Sequence, residues 1–215
     1  MDYLMNTAGA ETPVIKEYDT SAASDIKKGA VMTVANGKAC EVGSGSTVIL
    51  GVLAEDYKTA ADDLNPRSGS GRVRVSVSPS AVYEEDAIKI TAGASCTATK
   101  ITFSSESAPT TSNIFKGGKA VLVSKAQNST NTDAVGTVRS VTASASGYLT
   151  VESGGTASVG DVYALLLPAG YNCLAYDSTT RTYLLNTTSD TKVVVVGNDE
   201  KRLKNQICFC TTLFR

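Results

Sequence analysis

The sequence of 215 residues contains no histidine and no tryptophan, and only 6% of its residues are aromatic. Without histidine, the Ser-His-Asp and Cys-His forms of nucleophilic catalysis, histidine proton shuttles and histidine-ligated metal sites are all excluded. The few aromatic residues leave little material for a platform that stacks sugars or bases. We therefore expect a protein that is not an enzyme and that holds no cofactor or metal ion.

An excess of positive charge is also missing, since 20 Lys and Arg residues stand against 21 Asp and Glu residues, a net charge of −1. This balance produces no field that attracts a polyanion, so nucleic acid is not an expected partner. The start of the chain lacks the basic and apolar regions of a secretory signal, and the apolar runs are too short to span a membrane. The five scattered cysteines do not resemble a disulfide framework, which favours synthesis in a reducing cytoplasm.

Short alternating stretches rich in Val, Thr and Ile are abundant, and this is the pattern of β-strands. In the stretch 72–78, three valines at alternate positions are predicted to face the core, and the arginines and serines between them face solvent. The valines are Val73, Val75 and Val77. Two short helices are predicted, over 57–64 and 198–207. The fold is therefore predicted to be all-β: a short-stranded antiparallel β-barrel or sandwich body with an extended N-terminal arm, with a second β lobe as an open alternative.

The composition changes along the chain and divides it into four predicted segments. Residues 1–24 are polar and weakly patterned, which predicts an extended N-terminal arm. Residues 25–105 carry clear strand patterns and are predicted to form a β domain. A region of Ser/Thr-rich loops, 106–135, precedes a second β lobe over 136–215.

Clustered and isolated carboxylates are the candidates for metal binding or acid–base chemistry. The acidic pair at 62–63 and the acidic triplet at 84–86 offer oxygen ligands for Ca²⁺, but their spacing does not match a calcium-binding loop, and solvated loops explain them better. General acid–base work needs two carboxylates that the fold brings together, and the candidates are Glu55, Asp56, Glu84 and Asp161. Ser124 and Lys125 could form a nucleophile and base, but neighbours on a strand point to opposite faces.

Three stretches in the first half of the chain resemble the tailed-phage head decoration, or capsid-cement, proteins. They are Thr12–Tyr18, Ala22–Met32 and Val48–Asp56, followed by the alternating valines at 73–77. Members of this family pair an opening of an aliphatic residue, Lys, Gly and a strand with a later strand of Gly-Val-Leu/Ala and an acidic residue. The resemblance extends to about Phe103, and the second half of the chain is longer than in the simplest members.

The resemblance implies a non-enzymatic protein that binds the outer surface of the phage head and stabilises the shell. Its implied partner is the major capsid protein, its implied state a homo-oligomer with a trimer favoured, and its implied location the capsid surface of the virion, after synthesis in the host cytoplasm. The arm and the basic face of the valine-alternating strand are the expected docking surfaces. The candidate contact residues are Val14, Ile15, Tyr18, Arg72 and Arg74; for the two arginines, ordinary solubilising charge is the alternative.

A function of a different class stays open, that of a fibre or adhesin-like β module that binds a cell-surface glycan. Tyrosines concentrate in the second half of the chain and could line a shallow saccharide site. They are Tyr148, Tyr163, Tyr171, Tyr176 and Tyr183. Tyrosines that pack along strands with a solvated hydroxyl are the alternative to such a site.

Overall fold

The computed structural model describes residues 2–6, 14–42, 49–61, 68–77, 81–103, 113–170, 174–177, 182–185 and 193–209. No described residue lies in a helix, and strands pair antiparallel in four sheets, so the predicted all-β class is confirmed. The strands are β1 (Asp2–Asn6), β2 (Ile15–Asp19), β3 (Val31–Ala35), β4 (Lys38–Glu41), β5 (Gly51–Leu53), β6 (Arg72–Ser76), β7 (Ala81–Asp86), β8 (Ile88–Thr91), β9 (Lys100–Thr102), β10 (Lys119–Ser124), β11 (Val138–Ala145), β12 (Tyr148–Val151), β13 (Val162–Leu166), β14 (Leu174–Asp177), β15 (Thr182–Leu185), β16 (Val193–Asp199) and β17 (Lys204–Phe209).

The first of the larger sheets has five strands in the order β2-β6-β5-β3-β4. Its two edges meet just after β2, where Thr20 pairs with Ala39 of β4. The Thr20 hydroxyl also donates a hydrogen bond to the carbonyl oxygen of Ala39 at 2.7 Å. This link makes the sheet curl into a half-barrel.

The five-stranded sheet is buried on one face and, around Val52 and Ser76, also on part of the other. The predicted alternation on β6 is confirmed for the valines, since Val73 and Val75 are 2% and 0% exposed and pack in a small hydrophobic cluster. The opposite face was predicted to be solvated, and this is wrong at Ser76, which is buried and whose hydroxyl lies 3.1 Å from the hydroxyl of Tyr83. The reason is that residues of this face, such as Val52, pack into the main core.

Six strands in the order β8-β13-β10-β11-β12-β9 form the second sheet. Its edges also meet, because Ala92 pairs with Phe103 and the amide of Gly93 donates to the carbonyl of Thr102 at 2.7 Å. The sheet therefore closes into a barrel at this end. Large side chains fill its interior and form much of the main core: Ile90, Ile101, Leu122, Leu149, Tyr163 and Leu165.

A four-stranded sheet, ordered β1-β7-β17-β16, completes the main core, and β14 and β15 form a separate two-stranded sheet. Tyr83 of β7 and Phe209 of β17 contact each other with ring centroids 5.5 Å apart. Ile207, which pairs with Tyr83, is fully buried beside them. Because Tyr83 also reaches Ser76, β7 joins the five-stranded sheet to the rest of the protein.

The predicted helix over 198–207 is wrong, because these residues end β16, turn and begin β17. Burial along β17 alternates with a period of two, with Asn205 and Ile207 inside, which is strand and not helix periodicity. Leu203 has a positive φ of 54° and lies in the turn. Of the predicted helix over 57–64, Tyr57 is instead paired with Ile26 through two backbone hydrogen bonds, and residues 62–64 lie outside the described residues.

The sheets group the strands differently from the four predicted segments. β2, from the predicted arm 1–24, is a member of the five-stranded sheet, and β1 pairs with β7. β8, from the predicted domain 25–105, pairs with β13 of the predicted lobe 136–215. Part of the predicted loop region 106–135, residues 106–112, lies outside the described residues. The division into domains stays a prediction.

Candidate functional site

The candidate contact residues of the N-terminal arm lie on β2, at one edge of the five-stranded sheet. Val14 and Ile15, where the strand begins, are 51% and 41% exposed. Tyr18 is half-buried against the hydrophobic cluster of this sheet, and burial raises the pKa of its phenol. Its hydroxyl oxygen is buried and has no hydrogen-bond partner among the described residues. The arm thus has an exposed aliphatic start and an anchored aromatic end.

The outer edge of β2 carries backbone groups that point away from the rest of the sheet. The Val77 amide donates to the Val14 carbonyl at 2.8 Å, and the Thr20 amide donates to the Gly71 carbonyl at 2.8 Å. In an antiparallel ladder such bonded residues alternate with residues whose N–H and C=O point outward. Ile15 therefore turns its backbone groups to the outer edge, at the end of β2 away from the point after Asp19 where this edge meets β4. An edge of this kind can pair with a strand of another chain.

The two arginines of the predicted basic face, Arg72 and Arg74, lie on β6 opposite acidic residues of β2. Arg72 pairs with Glu17 at 3.1 Å and with Asp19 at 3.6 Å, and Arg74 pairs with Glu55 at 3.6 Å. The two pairs of Arg72 follow from the strand register, which sets Asp19 against Arg72 and Glu17 against Arg74, whereas Glu55 comes just after β5 on the other side of β6. Exposed ion pairs contribute about 0–1 kcal/mol each, so an incoming partner can exchange them at small cost.

A second exposed apolar surface lies on the outside of the barrel, between β10, the loop before β11 and the turn from β16 to β17. We call it the outer-barrel groove; its volume is about 450 Å³. Its walls include Val135 and Val138, which are 59% and 40% exposed. It is lined by Val121, Leu122, Val123, Val135, Gly136, Val138, Glu200, Lys201 and Leu203. Aliphatic side chains without an aromatic ring suit contact with another protein surface better than sugar stacking.

Asp161 is fully buried, and hydrogen bonds use both oxygens of its carboxylate. The Ala126 amide donates to Oδ1 at 2.9 Å, while the Ser158 amide, the Ser129 hydroxyl and the Asn131 side-chain amide donate to Oδ2 at 3.0, 3.1 and 3.0 Å. Burial alone would raise the pKa of Asp161, but these donors together outweigh it and hold the pKa below its usual value. The carboxylate is thus a fixed acceptor that joins two loops of the barrel.

A second buried charge next to these loops is Arg139 of β11, whose side chain is 3% exposed. It bonds to the carboxylate of Asp133 and to the carbonyl oxygens of Gly155 and Ala98. A Cβ at Gly154 would lie 2.4 Å from the Arg139 guanidinium, so only glycine leaves room for it. Asn131 and Arg139 were not candidates from the sequence, because Asn131 stood in a polar loop and Arg139 in an ordinary alternating strand.

The four candidate carboxylates are not brought together for acid–base chemistry. Asp161 is bound as described, Glu55 pairs with Arg74, and Asp56 pairs with Lys27 at 3.2 Å. The interpretation of 84–86 as a solvated loop is wrong, because these residues lie on β7, where Glu84 is buried and paired with Arg202. Asp62 and Asp63 lie outside the described residues. Within the described ranges, no group of three or more potential ligand side chains is arranged to hold a metal ion.

Ser124 ends β10 and Lys125 follows it, and the Lys125 ammonium donates to the carbonyl oxygen of Asn131 at 2.7 Å. Lys125 thus holds the loop around Asn131. In the part of the chain that is described, the thiols of Cys40 and Cys96 are not joined in a disulfide. No helix among the described residues has the length and apolarity that crossing a membrane requires.

The described tyrosines that were considered for a glycan site lie on four different strands. Tyr163 is fully buried and its hydroxyl bonds to Asn131 at 2.9 Å, so its ring is not available to a sugar. Tyr148 lies on β12 with the Lys100 ammonium 4.4 Å from its ring centroid. Tyr176 and Tyr183 are opposite each other in the β14–β15 pair. Tyr171 lies outside the described residues.

Comparison with known proteins identified no relative of this chain. A scan against protein-family models, a search of curated proteins and a search of solved structures each found no match to this chain.

Proposed function

We propose that this chain is a non-enzymatic decoration protein that binds the outer surface of a phage head and stabilises the shell. The observation that carries the proposal is the position of the stretches that resemble capsid-cement proteins. Residues 12–18 lead into β2, 22–32 lead into β3, 48–56 contain β5, and the alternating valines belong to β6. All of these strands are neighbours in one five-stranded sheet with a hydrophobic cluster of its own.

The start of β2 is the proposed contact with the shell. Val14 and Ile15 are exposed apolar residues beside an outward-pointing strand edge, so a strand of the major capsid protein can add to this edge and cover them. The charged residues Lys16 and Asp19 on the same strand oppose indiscriminate pairing between edges. Arg72 and Arg74 flank this edge and exchange their exposed ion pairs for acidic groups of the shell.

The remaining features of the proposal follow from this role. The protein acts on the capsid surface of the virion after synthesis in the host cytoplasm, as a homo-oligomer in which a trimer is favoured. Repeated weak contacts around a local symmetry axis add up through effective concentration. The proposed protein uses no cofactor and binds neither nucleic acid nor membrane.

Two experiments test the function. The gene neighbourhood is the first, because a decoration protein is expected beside a gene for a major capsid protein or a portal. In the second, expanded shells of that major capsid protein are mixed with the purified chain, sedimented and heated. We expect the chain to sediment with the shells and to raise their disruption temperature; absence of co-sedimentation at saturating protein would refute the proposal.

A pair of matched variants tests the docking surface. The double substitution Val14→Asp and Ile15→Asp places charge on exposed positions, so the fold is retained while attachment weakens by roughly tenfold or more. Val196→Asp is the control, since Val196 is similarly exposed at 43% but lies on β16 of a different sheet. Equal shell affinity of both variants would place the contact elsewhere. Reproducible glycan-array binding without shell binding would instead favour the adhesin-like function.

A further inference from the structure

The outside of the barrel carries an apolar stripe, half of which is already covered by the chain itself. Val121 of β10, with Ala164 and Leu166 of β13, forms a small hydrophobic cluster separate from the main core. The turn after β16 lies on this cluster, with Leu203 packed against it and the Leu203 carbonyl accepting a hydrogen bond from the Ala87 amide at 2.8 Å. The covered half shows what this surface accepts, namely an aliphatic side chain presented by a turn.

The other half of the stripe forms the outer-barrel groove. Val138 pairs directly with Val121 across β10 and β11, so the two side chains lie on the same face and the apolar surface is continuous. Val138 is nevertheless 40% exposed, and Val135 in the preceding loop is 59% exposed. Contiguous exposed apolar surface beside polar residues is typical of a site of protein contact.

Both signs of charge stand side by side at the rim of the groove. Glu200 is ion-paired with Lys119 of β10, which fixes the turn to the barrel. Lys201, the next residue, is exposed, and its ammonium has no ion-pair partner among the described residues. The Glu200 side chain is 42% exposed even in this ion pair, so Lys201 of one copy can also meet Glu200 of another, and the rim complements itself. A basic ligand would instead bring a charge of the same sign as that of Lys201.

We propose that the outer-barrel groove is the contact between copies of this chain, with a second copy placing its groove against the first. Val135 and Val138 of both copies then bury one another, and Lys201 meets Glu200 of the second copy at the rim. Such a patch lies close to the symmetry axis of the assembly. The inference rests on the proposed function for its setting, since it locates the oligomer contact of the decoration protein, and it is tested without shells.

The experiment measures the mass of the full chain by sedimentation equilibrium over a wide concentration range. We expect the wild-type chain to associate into dimers or trimers and the variant Val135→Ser with Val138→Ser to raise the dissociation constant about tenfold or more. Val159→Ser is the matched control, because Val159 is 66% exposed and lies outside the groove. Lys201→Glu, which changes an exposed residue and leaves the apolar groove intact, is expected to weaken association in a salt-dependent way.

A wild-type chain that is monomeric over the whole range overturns the inference. So does a groove variant that associates as tightly as the Val159 control. A monomeric chain that still binds shells overturns the inference and leaves the proposed function standing. A groove variant that keeps its oligomeric mass but loses shell binding shows that the groove contacts the capsid protein instead, and this also overturns it.

Discussion

Replacing Asp161 by Asn should destabilise the protein substantially, although the two side chains have nearly the same shape. The carboxylate accepts four hydrogen bonds, three of them at Oδ2. An Asn side chain can keep its oxygen at that position, but its NH2 group then faces the Ala126 amide, which is also a donor. These two donors then face each other without an acceptor, and the other three bonds lose their charge-assisted part.

The magnitude follows from those losses. A buried unsatisfied donor costs about 1–3 kcal/mol, and a hydrogen bond to a charged group is worth roughly 1 kcal/mol more than a neutral one. Because the neighbours relax in part, we expect a total loss of about 3 kcal/mol in the free energy of unfolding. For a domain of this size each kcal/mol lowers Tm by about 2–4 °C, so Tm should fall by roughly 6–12 °C.

Thermal unfolding followed by circular dichroism and calorimetry checks this expectation. The matched control is Asp56→Asn, because Asp56 also accepts a backbone amide, that of Lys28 at 2.8 Å, but its side chain is 46% exposed. Water replaces the lost bond there, and a change of about 1 kcal/mol or less is expected. Equal shifts in Tm for the two variants would refute the argument that burial makes the Asp161 bonds important.

The Asp161 carboxylate also makes the stability of the protein depend on pH, and the direction of its pKa shift determines the sign of this dependence. The pKa of Asp161 is lower in the folded protein than in the unfolded chain, where it is about 3.9. Its contribution is therefore present above the unfolded value and is lost as pH falls through the folded pKa. The difference in Tm between the wild-type chain and Asp161→Asn should be constant near neutral pH and shrink below about pH 4. A difference that grows with acidity would contradict the assigned direction.

Three further substitutions test close packing and a single hydrogen bond, each by denaturant unfolding. Gly51→Ala should lower the free energy of unfolding by about 3 kcal/mol or more, because its Cβ would lie 1.9 Å from the carbonyl oxygen of Ser76. An unchanged denaturant midpoint would show that β5 and β6 separate easily. Gly155→Ala should lower the free energy of unfolding by about 1–3 kcal/mol, because its Cβ would lie 2.4 Å from Oδ1 of Asn131. An unchanged midpoint would mean that the loop around Asn131 moves aside without loss of stability. Tyr83→Phe should cost about 1 kcal/mol by removing the bond to Ser76, and a gain in stability would show that this bond is strained.

The class of fold was accessible from the sequence because strands with one buried face have a period of two. Val73 and Val75 show this, since both are buried as the alternation indicates. The burial of Ser76 could not be predicted from the sequence, because it is the neighbouring sheet, through Tyr83, that covers the other side of β6. Local pattern identifies which residues share a face, and tertiary packing decides whether the second face meets water.

Burial of charge was the main feature that the sequence did not reveal. Glu84 looked like part of a solvated acidic triplet, yet it lies in a central strand and is buried against Arg202, which is 118 positions away in the chain. The predicted helix over 198–207 failed for a related reason, because polar and charged residues there stabilise a tight turn, with Asp199 accepting the amides of Lys201 and Arg202. Such pairs are set by topology, which single-sequence periodicity does not report.

The candidate site was only partly predictable in the same sense. Val14 and Ile15 were named because they lie in the predicted arm, in a stretch that resembles capsid-cement proteins, and the structure adds that both are exposed. The outer-barrel groove was not, because Val135 and Val138 are adjacent to Lys201 only through the contact of two hairpins. An exposed valine in a sequence looks the same as a buried one until the neighbouring element is known.

Stability and the proposed attachment should be separable in this protein, because the buried hydrogen bonds and the proposed contact involve different residues. Asp161 and Arg139 are buried inside the barrel and touch no exposed apolar surface, whereas Val14 and Ile15 lie at a strand edge. A protein that acts by surface contact should keep its full affinity for shells in the Asp161→Asn variant, at any temperature where that variant is folded. A protein that used Asp161 for chemistry would lose its activity at every temperature. Measuring shell binding of this variant well below its Tm therefore separates a structural role of the buried carboxylate from a functional one.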